Sequence, residues 1–219
     1  MAAVRLLVAV LVVVAVVGQW VVSLGSPVYR PENFFGYFTI QSNLVGAAVA
    51  VVAAVLLLRR ADVPGWSVLL RAAATTYLLT TGVVYNTLLV DATLAGSFTV
   101  PWSNDLLHRW VPALVVLDWL LVGDRRPLRW RWWPVLLAYP LVWLVVVLAR
   151  GASFVPYPFL DVERLGAGVV ALWCLAIAVG IGLAAALVVG WSRADRAVVL
   201  GHGAGGRVRA AERPQRSGS

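Results

Sequence analysis

The chain of 219 residues contains no lysine, one cysteine and two histidines. The single cysteine, Cys174, excludes an internal disulfide. Charge is scarce. Only 13% of residues are charged, about half the ~25% of a typical soluble domain. With 61% hydrophobic residues and a mean hydropathy of +0.86, this excludes a soluble globular domain, a disordered chain and a disulfide scaffold. A transmembrane haem needs two membrane histidines, and His202 lies in the polar C-terminal region. A zinc site needs three or four N, S or O ligands, which His108 and a mid-span Cys174 do not supply. There is no P-loop, dinucleotide fingerprint or G-x-S-x-G elbow. No metal and no cofactor is therefore expected. The net charge of +8 would suggest nucleic acid in a soluble protein. Here it reads as topology, and no nucleic-acid partner is expected.

What is present is long apolar runs. A helix crossing the hydrocarbon core needs about 20 apolar residues. Six stretches qualify, at 4–24, 36–58, 68–90, 106–122, 133–149 and 166–190. Their continuous Val, Leu and Ala lack the apolar–polar alternation of barrel strands. The expected fold is an all-α integral membrane bundle of six transmembrane helices over residues 1–190. A basic tail, 191–219, is expected to be disordered and cytoplasmic. The first run is too long for a signal-peptide core, and Gly18-Gln19-Trp20 is a poor cleavage site, so a retained helix is expected. With the N-terminus inside, fourteen arginines fall on the cytoplasmic side and four outside. Both termini are thus expected in the cytoplasm, and the Arg-only basic set with abundant Ala and Val suggests a bacterial plasma membrane. Small residues repeat every four positions in the last helix, at Ala176, Gly180, Ala184 and at Ala178, Gly182, Ala186. They read as close packing within the bundle, with a dimer face as the alternative. The oligomeric state stays open.

Polar side chains in a membrane are costly without partners, so their placement is informative. Most fall toward the outer side: Thr39, Gln41, Ser42 and Asn43 on the second helix, Tyr85, Asn86 and Asp91 ending the third, Trp102, Ser103, Asn104, Asp105 and His108 opening the fourth, and Tyr157, Asp161 and Glu163 before the sixth. Thr39, Ser42 and Asn43 share one helix face. Pro101 and the Ser103-Asn104-Asp105 run read as a helix start with a capping residue. Thr39 and His108 lie at matching depth, so a hydroxyl and an imidazole can meet. A hydroxyl needs an adjacent base to become a nucleophile. His108 would be that base, oriented by Asp105 or Asp161. Asn43, Asn86 or Asn104, or a nearby Tyr, would donate to the oxyanion. The structural alternatives stand beside this. A membrane Thr commonly bonds its own i−4 carbonyl, an interfacial His is commonly structural, and Asn104 and Asp105 can simply cap. Asp118 is expected to pair with Arg125 or Arg71, and Asp161 with Arg150 or Arg164.

The pattern Trp102-x-Asn104-x3-His108-x3-Pro112, the Phe38-Thr39 pair and Tyr157-Pro158-Phe159-Leu160-Asp161 together resemble the androgen-induced protein family of six-helix membrane proteins. Its animal members hydrolyse fatty acid esters of hydroxy fatty acids. More closely, the chain resembles bacterial members of the Pr6Pr membrane protein family, through the stretches 37–44, 85–88, 108–121 and 157–161. The resemblance covers about residues 1–190. It implies a threonine nucleophile at Thr39 and a histidine at His108. The sequence departs from the animal pattern after Thr39, at Ile40-Gln41-Ser42-Asn43, which leaves Ser42 open as the nucleophile. Two functions follow as expectations. One is a lipid ester hydrolase acting on a fatty ester from the outer leaflet, with Thr39 and His108 catalytic and Ser42, Asn43, Asn86, Trp102, Asn104, Asp105, Tyr157 and Asp161 supporting. The other is a non-catalytic protein that binds membrane lipid or a partner. A transporter is disfavoured by the nearly all-apolar inner half.

Overall fold

The computed structural model describes residues 1–90 and 99–194. Every regular element among them is helical. Five helical segments are long and apolar enough to cross a membrane: Ala2–Ser23, Phe38–Leu58, Gly65–Leu89, Trp130–Ser153 and Ala167–Trp191. We label the main helices α1 (Ala2–Ser23), α2 (Phe38–Leu58), α3 (Gly65–Val84), α4 (Val111–Leu121), α5 (Val135–Arg150) and α6 (Ala167–Trp191). The expected span at 106–122 is helical too, within a run from Pro101 to Leu121 that carries three charges, Asp105, Arg109 and Asp118. It is also segmented, with an α turn at Pro101–Asp105, a π turn at Leu106–Trp110, then α4. Asp91, His202 and the tail beyond residue 194 lie outside the described residues.

The helix start near residue 101 differs from the capping expected. Val100 is the N-cap and Pro101 holds the first position, where a missing N–H costs nothing. The Val100 N–H donates to Gln19 Oε1 on α1 (3.0 Å), and the Ser103 hydroxyl donates to the Ala15 carbonyl (2.7 Å). Ser103 thus ties two helices together rather than capping one.

Helix α3 is the hub, in contact with α2, α4, α5 and α6. Its buried threonines cost little, because Thr75 and Thr76 donate to the Arg71 and Ala72 carbonyls one turn back (2.8 and 2.9 Å). Small residues set the helix spacing. A Cβ on Gly46 of α2 would come within 2.7 Å of the Leu78 side chain on α3. On α6 the two small-residue stripes differ. The Gly182 carbonyl accepts from Trp133 Nε1 (2.8 Å), while Gly180 faces open space beside exposed Leu175, Val179 and Leu183.

At the end of the bundle holding the N-terminus, four charges close on one another. Arg5 of α1 bonds Asp118 of α4 (Nε–Oδ1, 2.9 Å) and Asp124 (Nη1–Oδ2, 2.6 Å). Arg71 of α3 bonds the same two carboxylates (2.9 and 2.7 Å). Asp118 therefore takes the expected Arg71 and also Arg5, whose position suggested topology alone. Arg125 lies over the Trp119 ring and donates to the Val122 carbonyl instead. Burial raises the pKa of Asp124, but hydrogen bonds and charge from Arg5 and Arg71 outweigh it and hold the carboxyl below its usual range.

Removing one member of a buried charge pair costs about 3–5 kcal/mol. The aspartates keep 15–20% exposure, so the lower end applies. Arg71→Met should lose about 3 kcal/mol in thermal unfolding in detergent. Because the folded-state pKa of Asp124 is depressed, its contribution is present above the unfolded value of about 3.9 and is lost as pH falls through the folded value. Melting temperature should drop below about pH 4. Asp124→Asn should start lower at pH 7 and show a weaker drop.

Candidate functional site

At the opposite end of the bundle, His108 sits in the π turn Leu106–Trp110. Pro112 accounts for that turn. It has no N–H to give the His108 carbonyl four residues back, and its ring crowds that carbonyl. The backbone widens, and the Val111 N–H reaches back five residues to Leu106. The carbonyls of Leu107 and His108 thereby lose their helical donors. Asn43 of α2 donates to the first (3.1 Å) and Asn86 to the second (3.4 Å). A Cβ on Gly82 of α3 would stand 3.2 Å from the Pro112 ring and 3.5 Å from the His108 carbonyl oxygen. Two asparagines and a glycine thus hold the widened turn. Pi turns occur often at functional sites.

The His108 ring has two partners. Nδ1 lies 2.9 Å from the Asn104 carbonyl oxygen and Nε2 lies 3.1 Å from Thr39 Oγ1. A carbonyl only accepts, so Nδ1 carries the proton. Nε2 is then a lone pair, and the Thr39 hydroxyl donates to it. This is the arrangement of a hydroxyl nucleophile and its base. The ring is clamped by stacking on Tyr85 at 4.1 Å between centroids and 26° between planes. Tyr85 lies in a second π turn, Tyr85–Leu89, and its hydroxyl accepts from the Asn104 amide.

Thr39 is the second residue of α2 and is buried. The membrane threonines Thr75, Thr76, Thr80 and Thr87 each bond the carbonyl four residues back. Thr39 does not. The carbonyl in question, of Phe35, accepts from Gln41 Nε2 (2.8 Å), and Thr39 stands too early in its helix to have a preceding helical turn. Ser42 is fully buried, bonded to Thr81 Oγ1 (3.0 Å) and to the Thr39 carbonyl (3.2 Å). Its hydroxyl therefore faces α3, whereas the Thr39 hydroxyl faces His108.

The remaining expected site residues divide. Neither aspartate orients the imidazole. Asp105 pairs with Arg109 one turn on, and Asp161 accepts the Arg164 N–H (2.9 Å) as the cap of the short helix Val162–Leu165. The backbone of Asn104 takes that role, which side-chain chemistry could not reveal. Arg150 goes to Asn33 Oδ1 and lies over Phe154 rather than meeting Asp161. The three asparagine amides are all engaged: Asn43 with the Thr39 and Leu107 carbonyls, Asn86 with the Gly82 and His108 carbonyls, Asn104 with Tyr85. Trp102 lies against α1 at Gly18, away from the His108 ring.

Tyr157 is brought to the pair by the loop before α6. The first amides of α2, of Phe38, Thr39 and Ile40, have no backbone acceptor among the described residues. Tyr157 lines the same cavity as Thr39 and His108, and burial, outweighing the opposing influence of Thr39 and of the Phe38 backbone, pushes its pKa up to about 12. Thr39, His108 and Tyr157 stand at the head of an open-mouthed cavity between α3, α5 and α6. Its walls are apolar apart from a few hydroxyls, and they extend to Leu137, Pro140, Cys174 and Ile181. Ile181 is fourteen residues into α6, about 21 Å along its axis. Among the described residues no group of three His, Cys, Asp or Glu is placed to hold a metal ion.

No family model matches this chain, and no curated protein or solved structure shows significant similarity to it.

The π turn makes Pro112 a positioning residue. Pro112→Ala restores the missing N–H and favours a regular α turn. A displacement of about 1 Å at a reacting centre can cost about 10²-fold. The variant should keep or raise the melting temperature, while a hydroxyl-directed fluorophosphonate reacts about 10²-fold more slowly at Thr39.

Proposed function

We propose that this chain is an integral-membrane lipid ester hydrolase, with Thr39 as nucleophile and His108 as general base and then acid. The observation that carries the reading is the Thr39–His108 hydrogen bond. It is directed by a single imidazole tautomer and stands at the head of a deep apolar cavity. The family resemblance of the sequence motifs points to the same two residues.

The proposed topology has six spans with both termini in the cytoplasm. The helical run from Pro101 to Leu121 has 21 residues, about 31 Å at 1.5 Å per residue. That matches the roughly 30 Å hydrocarbon core. Its charges are paired, Asp105 with Arg109 and Asp118 with Arg5 and Arg71, which reduces the cost of membrane burial. The arginine bias assigns the N-terminal end to the cytoplasm. The Thr39 site then faces the outer leaflet, and the cavity reaches past the bilayer midplane. Such a cavity suits one acyl chain, with the ester held at the polar head.

The chemistry balances without a cofactor. Thr39 Oγ1 attacks the ester carbonyl carbon while its proton passes to His108 Nε2, and the carbonyl electron pair moves onto oxygen. Collapse breaks the bond to the alcohol oxygen, which takes the proton from Nε2. Water then attacks the acyl-threonine, giving its proton to Nε2. The bond to Thr39 Oγ1 breaks, Oγ1 recovers a proton, and the fatty acid leaves.

A fluorophosphonate probe on the detergent-solubilised full chain tests this. Wild type and Ser42→Ala should label, and Thr39→Ala should not. His108→Ala should label about 10²–10⁴-fold more slowly. Labelling that survives in Thr39→Ala overturns Thr39 as the nucleophile and moves the reaction to another hydroxyl such as Ser42, and a wild type inert to both the probe and p-nitrophenyl esters overturns the hydrolase reading in favour of a lipid-binding protein.

A further inference from the structure

Within the hydrolase reading, on which this rests, we propose that the Tyr157 hydroxyl is the hydrogen-bond donor to the ester carbonyl oxygen as Thr39 attacks. Three facts carry it. Tyr157 lines the head of the cavity together with Thr39 and His108. A phenol O–H is a donor, and the carbonyl oxygen of an ester drawn into that cavity is an acceptor within its reach. The side-chain amides expected for this task are engaged elsewhere, Asn43 and Asn86 on backbone carbonyls and Asn104 on Tyr85. Finally, the Tyr157 ring is wedged between other rings, stacked on Phe159 (5.3 Å), edge-on to Tyr37 (6.1 Å) and tilted against Trp143 (5.9 Å). The hydroxyl is thus held in place before any substrate arrives.

The step adds nothing to the atom balance. When the Oγ1–C bond forms, the carbonyl electron pair resides on oxygen, and the Tyr157 O–H donates to that oxygen. When the alcohol leaves, the pair returns to the C=O bond and the phenol keeps its proton. Burial supports this, since a phenol with a pKa near 12 remains a donor at neutral pH.

The alternative is that Tyr157 merely caps the start of α2. Tyr157→Phe keeps the ring and separates the two. In the full chain acting on p-nitrophenyl butyrate, kcat should fall about 10²–10³-fold with KM within about threefold of wild type, and fluorophosphonate labelling of Thr39 should slow in parallel. A variant that labels and turns over at the wild-type rate overturns the assignment while leaving Thr39 and His108 standing. A wild type that neither labels nor hydrolyses overturns the hydrolase reading and this inference together. Should the Phe variant melt well below wild type, 3-fluorotyrosine at position 157 decides. A rate that follows phenol acidity supports the role, and an unchanged rate overturns it.

Discussion

The hydrogen bond from His108 Nδ1 to the Asn104 carbonyl decides what the imidazole can do. Without it, either ring nitrogen could carry the proton, and half of the ring orientations would point a donor at Thr39. With it, Nε2 is an acceptor and the threonine hydroxyl has one direction to point. A backbone carbonyl performs this task in place of the carboxylate of a Ser-His-Asp triad. That choice suits the setting. A buried carboxylate needs a partner of opposite charge, and taking both from water is expensive. A carbonyl belonging to the histidine's own helix needs neither.

That carbonyl is well placed because the helix around His108 is not regular. Pro112 deprives the His108 carbonyl of its donor, the turn widens, and the donors lost are replaced from two neighbouring helices by Asn43 and Asn86. The helix pays for its irregularity in side chains drawn from α2 and from the turn after α3, which couples the position of His108 to those elements. The opposite end of the bundle is organised by another force. There Arg5, Arg71, Asp118 and Asp124 join α1, α3, α4 and the loop beyond it in one cluster of ion pairs. Between the two ends α5 packs loosely on α6, and Pro140 interrupts its backbone bonding at the cavity wall. The cavity lies where the bundle has the least to hold it shut.

The all-helical architecture was legible from the apolar runs, whose ends fall within a few residues of the helices observed. The fourth run read as short because the turn that extends its helix, Pro101–Asp105, contains Ser103, Asn104 and Asp105 and carries no apolar signal. At the site, Thr39 and His108 were legible as two polar residues at matching depth. The π turn was not, since a pattern of apolar residues does not distinguish a four-residue from a five-residue hydrogen bond. The signal was nonetheless printed in the sequence, as a proline four residues after the histidine. The aspartates were misread for a physical reason. Asp105 and Asp161 each have a local partner three or four residues away, and a local bond costs less conformational entropy than one across the bundle. Arg5 shows the converse: its partners lie more than a hundred positions away in the chain, where no local pattern could find them.

The position of Thr39 in its helix explains why its hydroxyl turns to His108. A threonine deeper in a span has a carbonyl one turn behind it and satisfies itself there, as Thr75, Thr76 and Thr80 do. In the first turn that carbonyl belongs to the preceding loop, and here Gln41 occupies it. The same position leaves the amides of Phe38 and Thr39 without helical acceptors. One feature, a helix that begins beside His108 without a side-chain cap, therefore leaves a hydroxyl needing an acceptor and amides needing an oxygen. His108 meets the first of those needs. A serine or threonine moved one turn down α2 would meet neither, as the buried Ser42–Thr81 bond already shows.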